Sequence, residues 1–313
     1  MYLNMQESEL QLLSTKKVLI TGARGFVGRH LLKVLDRFSV DYKFIVHERT
    51  AGKGHERMIE RDSVISEHFD CIIHLAGMAH IQSSNNQSAY EKFYEANVAY
   101  AKEMFDKAQE ANISRYIYIS TIGVYGVYSS QEMITEEHEL HPAVAYAKSK
   151  LEGERLIKEL CLENNIDFVI LRPSLVYGEG APGNLQRLQR ICSKKLPLPF
   201  GLANEKRTMV SVNNLVSAIL RCLHHSAAKN KIFNVADDIG VSTREVCNYY
   251  RSQSGKKCYL IPVPKLVTKV LLSLFGQRML YNQVFGPLSI SNKKIKDELQ
   301  WVPPDRPSDF FLR

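Results

Sequence analysis

The chain is bounded first by what it does not contain. Its six cysteines, Cys71, Cys161, Cys192, Cys222, Cys247 and Cys258, lie far apart with no C-x-x-C pair, and no histidine falls at metal-ligand spacing. No metal site is therefore expected, and the thiols read as those of a reducing, cytoplasmic protein. No apolar run reaches the roughly 18 residues of a membrane span, and Met1–Thr15 is polar and amphipathic, unlike a signal peptide. No integral membrane segment is expected. The nearest approach, LVTKVLLSLFG at Leu266–Gly276, is interrupted by Lys269. It reads as an amphipathic helix packed on its own domain, with contact at a membrane surface as the alternative. Blocks of like charge are also missing: the formal charge is +8, but Lys and Arg are spread along the sequence. Nucleic acid is not an expected partner; a basic surface that attracts a small phosphorylated ligand is.

What is present has the size of one large or two closely joined domains, 313 residues with an ordinary apolar share of 45%. Strand and helix signals alternate through the first two thirds, the sequence form of a parallel sheet with crossover helices. Residues 18–20, 43–46, 71–75, 115–120 and 168–171 read as strands, and 26–38, 89–110 and 143–164 as helices. Beyond Pro173 short strands (PLPFG, KIFNVAD) mix with helices over 215–224 and 243–252, and prolines punctuate the rest. The expected fold is α/β: a nucleotide-binding domain over 15–173, to which the chain returns near 205–225, and a smaller C-terminal α/β lobe over 174–313.

The segment VLITGARGFVGRH, Val18–His30, sets Gly22, Gly25 and Gly28 three apart on a strand-to-helix turn. The first permits a tight turn, the second a close approach of backbone to a pyrophosphate, and the third close packing of the new helix. The helix N-terminus adds free N–H groups and a positive dipole end. A dinucleotide is the ligand this suits. The following strand, YKFIVHERT, ends near the adenosine ribose: Glu48 there favours NAD, whereas Arg49, with Arg24 from the glycine loop, favours the 2′-phosphate of NADP. NADP(H) is the preferred reading and NAD the alternative.

Among fifteen tyrosines only Tyr146 is followed four residues on by a lysine, Lys150, so both share one helix face. A phenol is a weak acid-base group at neutral pH, but a neighbouring ammonium and an oxidised nicotinamide favour phenolate. Such a tyrosine can take a proton from a hydroxyl as hydride leaves its carbon, or return it. Upstream, the strand RYIYIST ends at Ser120 and Thr121, where a hydroxyl can hold the reacting oxygen.

Together TGARGFVG, HLAG (His74–Gly77), NVAYAKEMFDKA (Asn97–Ala108), YISTIGVYG and YAKSK resemble the extended short-chain dehydrogenase/reductases, specifically the NAD(P)-dependent nucleotide-sugar epimerase/dehydratase family. The resemblance runs from about Lys17 to Trp301. It implies a Rossmann-type doubly wound parallel sheet, a small substrate lobe, and a homodimer through the two long helices that precede and contain Tyr146. It further implies Tyr146 as acid-base residue, Lys150 as its partner and nicotinamide-ribose ligand, and Thr121 as the hydroxyl on the C4 oxygen. Around the dinucleotide it implies Gly22, Arg24, Gly25, Phe26, Val27 and Gly28, with Leu75, Ala76, Gly77, Asn97 and Pro173. For a UDP-sugar it implies Ser120 and Thr121, Asn184 at the diphosphate, Phe200 beside the uracil and Arg207 on a phosphate.

Some family features are absent. No aspartate ends the second strand, and no Arg-Pro-Gly-Asp segment lies near the C-terminus. Ile122 and Gly123 follow Thr121 where a dehydratase would need an Asp-Glu pair, so 4,6-dehydration is not expected. Two enzyme readings remain: a 4-ketoreductase or dehydrogenase using NADP(H) on a UDP-4-keto-6-deoxy-N-acetylhexosamine, and a UDP-hexose 4-epimerase with tightly held NAD. The full pattern most resembles proteins that interconvert UDP-N-acetylquinovosamine and its 4-keto form in bacterial O-antigen synthesis. A silent NAD(P)-binding regulator would have no need of Tyr146, Lys150 and Thr121 at working spacing.

Overall fold

A strand inside a parallel sheet is covered on both faces and therefore reads as an unbroken apolar run. KVLIT is such a run, buried over its last four residues, and the sheet grows from it. The structure is a computed structural model that describes residues 7–46, 56–79, 87–194, 196–254 and 259–311. Glu48, Arg49 and Cys258 lie outside the described residues.

The chain runs α1 (Glu7–Ser14), β1 (Lys17–Thr21), α2 (Phe26–Arg37), β2 (Asp41–Val46), β3 (Met58–Glu60), β4 (Cys71–His74), α3 (Gln87–Tyr94), α4 (Tyr100–Glu110), β5 (Arg115–Ile119), β6 (Met133–Ile134), α5 (Ala145–Glu163) and β7 (Asp167–Pro173). It continues through β8 (Leu175–Tyr177), α6 (Asn184–Cys192), β9 (Pro197–Leu198), β10 (Lys206–Arg207), β11 (Met209–Ser211), α7 (Val212–His224), β12 (Lys231–Val235), β13 (Val241–Ser242) and α8 (Thr243–Ser254). The last elements are β14 (Tyr259–Leu260), α9 (Lys265–Leu274), α10 (Arg278–Phe285), β15 (Ser289–Ile290), α11 (Lys293–Leu299) and α12 (Pro307–Phe311).

Seven strands form one parallel sheet in the order β12-β7-β5-β4-β1-β2-β3. This is the Rossmann-type doubly wound arrangement, with the direction of winding reversing between β1 and β4. One face carries a core of Leu31 and Leu35 from α2, Leu215 and Ile219 from α7, and Trp301. The other is packed by Met104 and Phe105 from α4 and Ile157 from α5. A separate cluster around Tyr177, Leu185, Val246 and Phe311 centres the second lobe.

The sheet's outer strand β12 and the Trp301 segment come from beyond Pro173 and complete the first lobe's core. The single helix expected over 89–110 is interrupted: Glu95–Ala99 is a π-helical turn between α3 and α4. Short β3 and the parallel pair β8–β11 add strands that the sequence pattern did not signal. Among the described residues no helix is long and apolar enough to cross a membrane, and no cluster of three His, Cys, Asp or Glu is set to hold a metal. Cys71, Cys161, Cys192, Cys222 and Cys247 are buried and form no disulfide among the described residues.

Candidate active site

In open α/β sheets ligands bind beyond the carboxyl ends of the strands where the winding reverses. The glycine turn sits there, directly after β1. Gly22 has φ +73°, and a Cβ on it would lie 2.5 Å from the Ala76 backbone nitrogen. Gly28 lets α2 fold back on the turn: a Cβ there would lie 2.4 Å from the Gly22 carbonyl oxygen. Gly25 donates its N–H to that carbonyl at 2.9 Å and caps α2 without any side-chain hydrogen bond. The first N–H groups of α2 are thus left to an anion.

The neighbouring strand end is fastened to the turn. Thr21 accepts from Leu75 N–H through its carbonyl at 3.2 Å and from Ala76 N–H through its hydroxyl at 3.2 Å. Val27 packs partly buried on the sheet core. Phe26 instead packs into the second lobe's cluster, its ring against Gly178. Arg24 is exposed in the loop, its Nη2 reaching the Met58 sulfur at 3.7 Å.

The interrupted helix explains Asn97. A π-turn adds a residue to the helix and re-aims the side chains around it. Here it buries Asn97, whose amide donates to the Met78 carbonyl at 3.1 Å and to Ser149 Oγ at 2.9 Å. The Asn97 carbonyl oxygen accepts from Tyr118 Oη at 3.1 Å. Gly153 makes room for this contact, since a Cβ there would lie 2.3 Å from Tyr118 Oη. Ser149 and Gly153 are participants the sequence reading missed; they lie three and seven residues after Tyr146 on the same helix.

Tyr146 and Lys150 open α5 one turn apart. Lys150 is buried, its ammonium donating to the Ile119 carbonyl at 2.8 Å and lying 4.7 Å from the Tyr118 ring centroid. Burial lowers its pKa to about 8, against the opposing charge of Glu154. Tyr146 is half-buried beside Phe93. Burial pushes its phenol up to about 12, and the nearby Thr121 side chain works the other way. Thr121 leaves β5 in an extended conformation with its Oγ1 accepting from Gly123 N–H at 3.1 Å. Ser120 Oγ is buried with no partner among the described residues. Gly77 joins this group to the dinucleotide turn: a Cβ on it would meet Asn97 Oδ1 at 2.6 Å and Lys150 Nζ at 3.0 Å.

Beneath Lys150 lies His74, stacked on Tyr118 at 5.6 Å between centroids. Burial and the Lys150 charge lower its pKa to about 3. It is a neutral structural imidazole, 3.1 Å from the Thr21 hydroxyl.

Of the residues expected at the substrate, Arg207 is the best held. Its Nη1 donates to three backbone carbonyls, Tyr128 at 3.0 Å, Asn282 at 3.1 Å and Gly286 at 2.6 Å. Burial lowers its pKa to about 10, and no carboxylate neutralises it among the described residues. Phe200 packs 6.4 Å from Phe285, next to Gly286. Asn184 stands exposed at the start of α6. Pro173 ends β7 opposite Val235.

A glycine-lined strand-to-helix turn at the point where the winding of a seven-stranded parallel sheet reverses is the arrangement of a Rossmann-type nucleotide-binding fold. Residues 18–236 match the NAD dependent epimerase/dehydratase family, and the chain belongs to that family. It is 31% identical to a UDP-glucose 4-epimerase of Vibrio cholerae over 307 residues, covering 95% of this chain and 93% of that one. An epimerase of Methanothermobacter thermautotrophicus has the same fold, with a TM-score of 0.76 at 18% identity over 98% of this chain and 94% of that one. So does RMD of Pseudomonas aeruginosa complexed with NADPH, with a TM-score of 0.72 at 21% identity over 95% and 96%.

Proposed function

We propose that the protein is an NAD(P)-dependent oxidoreductase acting at C4 of a UDP-sugar. Its reaction is the interconversion of a UDP-4-keto-6-deoxy-N-acetylhexosamine and its 4-hydroxy form, UDP-N-acetylquinovosamine in type. The observation that carries this reading is the placement of Tyr146 and Lys150 one turn apart at the start of α5, with the Lys150 ammonium donating to the Ile119 carbonyl at the end of the strand that leads into Thr121. It gathers a proton donor, a second hydroxyl and an ammonium beyond the same strand ends as the glycine turn.

The chain's residues fit a dinucleotide. Gly22 and Gly28 hold backbone where any Cβ would clash, and Gly25 leaves only a tight 3.1 Å for one, while α2 offers its free N–H groups to a pyrophosphate. Leu75, Ala76 and Gly77 line the adjoining strand end, Asn97 positions them through Met78, and Arg24 lies in the glycine loop, where it would meet a 2′-phosphate. When bound, the dinucleotide supplies the hydride acceptor or donor. Tyr146 gives its proton to the C4 oxygen in reduction and takes one from the C4 hydroxyl in oxidation. Thr121 hydrogen-bonds that oxygen and keeps it within reach of the phenol. Lys150 lowers the cost of phenolate through its charge. Arg207 pairs with a diphosphate oxygen, which supplies the anion its half-buried guanidinium lacks, and Phe200 packs on the base.

The Vibrio cholerae relative supports a second reading, 4-epimerisation with retained NAD. One experiment separates the two. The protein is denatured to identify any released dinucleotide, and NADPH absorbance is followed on adding a UDP-4-keto-6-deoxy-N-acetylhexosamine. An empty site with rapid NADPH oxidation supports the ketoreductase; stoichiometric NAD without NADPH consumption overturns it for the epimerase. The homodimer implied by the family would form along α4 and α5, and sedimentation velocity tests it.

A further inference from the structure

The helix α9 is amphipathic the wrong way round for a helix serving its own domain. A helix on a globular core turns its apolar stripe inward. Here Leu266, Val267, Val270, Leu271, Leu274 and Phe275 are all exposed, Leu274 and Phe275 by 76% and 77%. At 3.6 residues per turn these positions form one continuous band about half the helix circumference wide. The side against the protein carries Thr268, the helix's buried residue, and half-buried Leu272. The segment is the expected amphipathic helix and rests on its own domain through Thr268 and Leu272, but its apolar stripe faces away from that contact.

The band does not end with the helix. The turn at Gly276 projects into open space, and α10 begins with exposed Met279 and Leu280. An apolar surface therefore runs from α9 through the turn to the first residues of α10, whose later residues, Tyr281–Phe285, pack against the protein.

Its charge is one-sided. The α9–α10 hairpin, residues 265–285, contains Lys265, Lys269 and Arg278 and no Asp or Glu. At the chain's average of 33 acidic residues in 313, about two would fall in such a stretch. Lys269 lies within α9 and Arg278 starts α10, and neither has a carboxylate partner among the described residues; Lys265 pairs with Glu205 at 2.7 Å. A second copy of the chain is a poor occupant. A two-fold contact through this face would set its cationic flank against its own image.

We propose that the α9–α10 hairpin is an interfacial anchor that seats the protein on an anionic phospholipid bilayer. The apolar band enters the boundary between headgroups and acyl chains, while the Lys and Arg of the flank meet lipid phosphates. The hairpin lies on the surface; neither helix is long enough to span it. Nothing in this depends on which sugar the enzyme reduces.

The test is flotation of the whole protein with vesicles of phosphatidylcholine alone or with about one third phosphatidylglycerol. Most of the protein should float with the anionic vesicles, at least about fivefold less with the neutral ones, and less again at high salt. The double variant Leu274→Asp/Phe275→Asp should stay in solution with its thermal melt and NADPH binding unchanged. Lys269→Ala/Arg278→Ala, which leaves the apolar band intact, should show intermediate flotation. Failure of the wild type to float with either vesicle overturns the proposal. So does an oligomer, seen by sedimentation velocity, that Leu274→Asp/Phe275→Asp dissociates, because a second copy would then cover the face.

Discussion

Arg172 of β7 grips Glu154 of α5 with two prongs, Nε to Oε1 at 3.0 Å and Nη2 to Oε2 at 2.6 Å, and each side chain is only 3% exposed. The remaining nitrogen, Nη1, donates to Tyr125 Oη at 3.0 Å, which in turn donates to Asn234 Oδ1 at 2.8 Å. Glu154 lies one turn beyond Lys150 and two beyond Tyr146. The pair therefore fastens the helix carrying both groups to the sheet and to the segment that follows Thr121. It also places a carboxylate whose charge favours the Lys150 ammonium.

Breaking one half of such a pair leaves an uncompensated buried charge. Glu154→Gln should cost about 3–5 kcal/mol of stability, read from the urea midpoint. Replacing both partners, as in Glu154→Leu/Arg172→Met, should recover a large part of that loss. A single variant as stable as the parent would show that the pair does not hold α5.

Tyr146→Phe removes the phenol hydroxyl, the proposed proton donor, but little volume. Turnover on a UDP-4-keto sugar should fall by about 10²- to 10⁴-fold, while NADPH affinity by fluorescence titration stays within about twofold of the parent. Full activity in this variant would remove Tyr146 from the mechanism.

The Lys150 ammonium should be visible in the pH profile. Burial favours its neutral form, so the proton leaves near pH 8 rather than above 10. The charged lysine is present below that value and lost above it. In the reductive direction kcat/KM for the dinucleotide, which reports the free enzyme, should be level below about 8 and fall about tenfold per unit above it. A profile level to pH 10 would mean that the charge on Lys150 is not required.

The glycine turn allows a sharper test than its motif alone. A methyl at position 28 would sit 2.4 Å from the Gly22 oxygen and 2.5 Å from the Ala23 oxygen, both backbone atoms that cannot swing aside. Gly28→Ala should open the turn and weaken dinucleotide binding at least about tenfold. Retained binding would show that the phosphates lie elsewhere.

What the sequence disclosed follows from how local each signal is. The apolar runs of β1, β4, β5 and β7 and the turn between Gly22 and Gly28 are written in consecutive residues, and the spacing of Tyr146 and Lys150 follows from one helical turn. The π-turn at Asn97 is not so written. Its neighbours keep a helical pattern, and the extra residue is accommodated by Tyr118 and Gly153 from distant segments. Glu154 and Arg172 each look like ordinary surface charges until β7 brings them together. For α9 the amphipathic period was plain, but periodicity says that a helix has two faces and not which one the protein covers.

Arg207 is the residue on which the sugar-nucleotide reading is most exposed to test. Three carbonyls fix one guanidinium nitrogen, which aims the group but leaves its charge unneutralised, and burial lowers its pKa to about 10. A phosphate supplies the missing charge, and a planar guanidinium can meet it with two parallel donors while still holding the backbone. A lysine has one nitrogen and cannot do both. Arg207→Lys should therefore raise KM for the UDP-sugar at least about tenfold while leaving NADPH affinity unchanged. Arg207→Met should raise it further, and should also loosen α10, whose last turn Arg207 ties to Tyr128. If both variants lose thermal stability but keep the parent KM, Arg207 is a strut between segments and the diphosphate is held elsewhere.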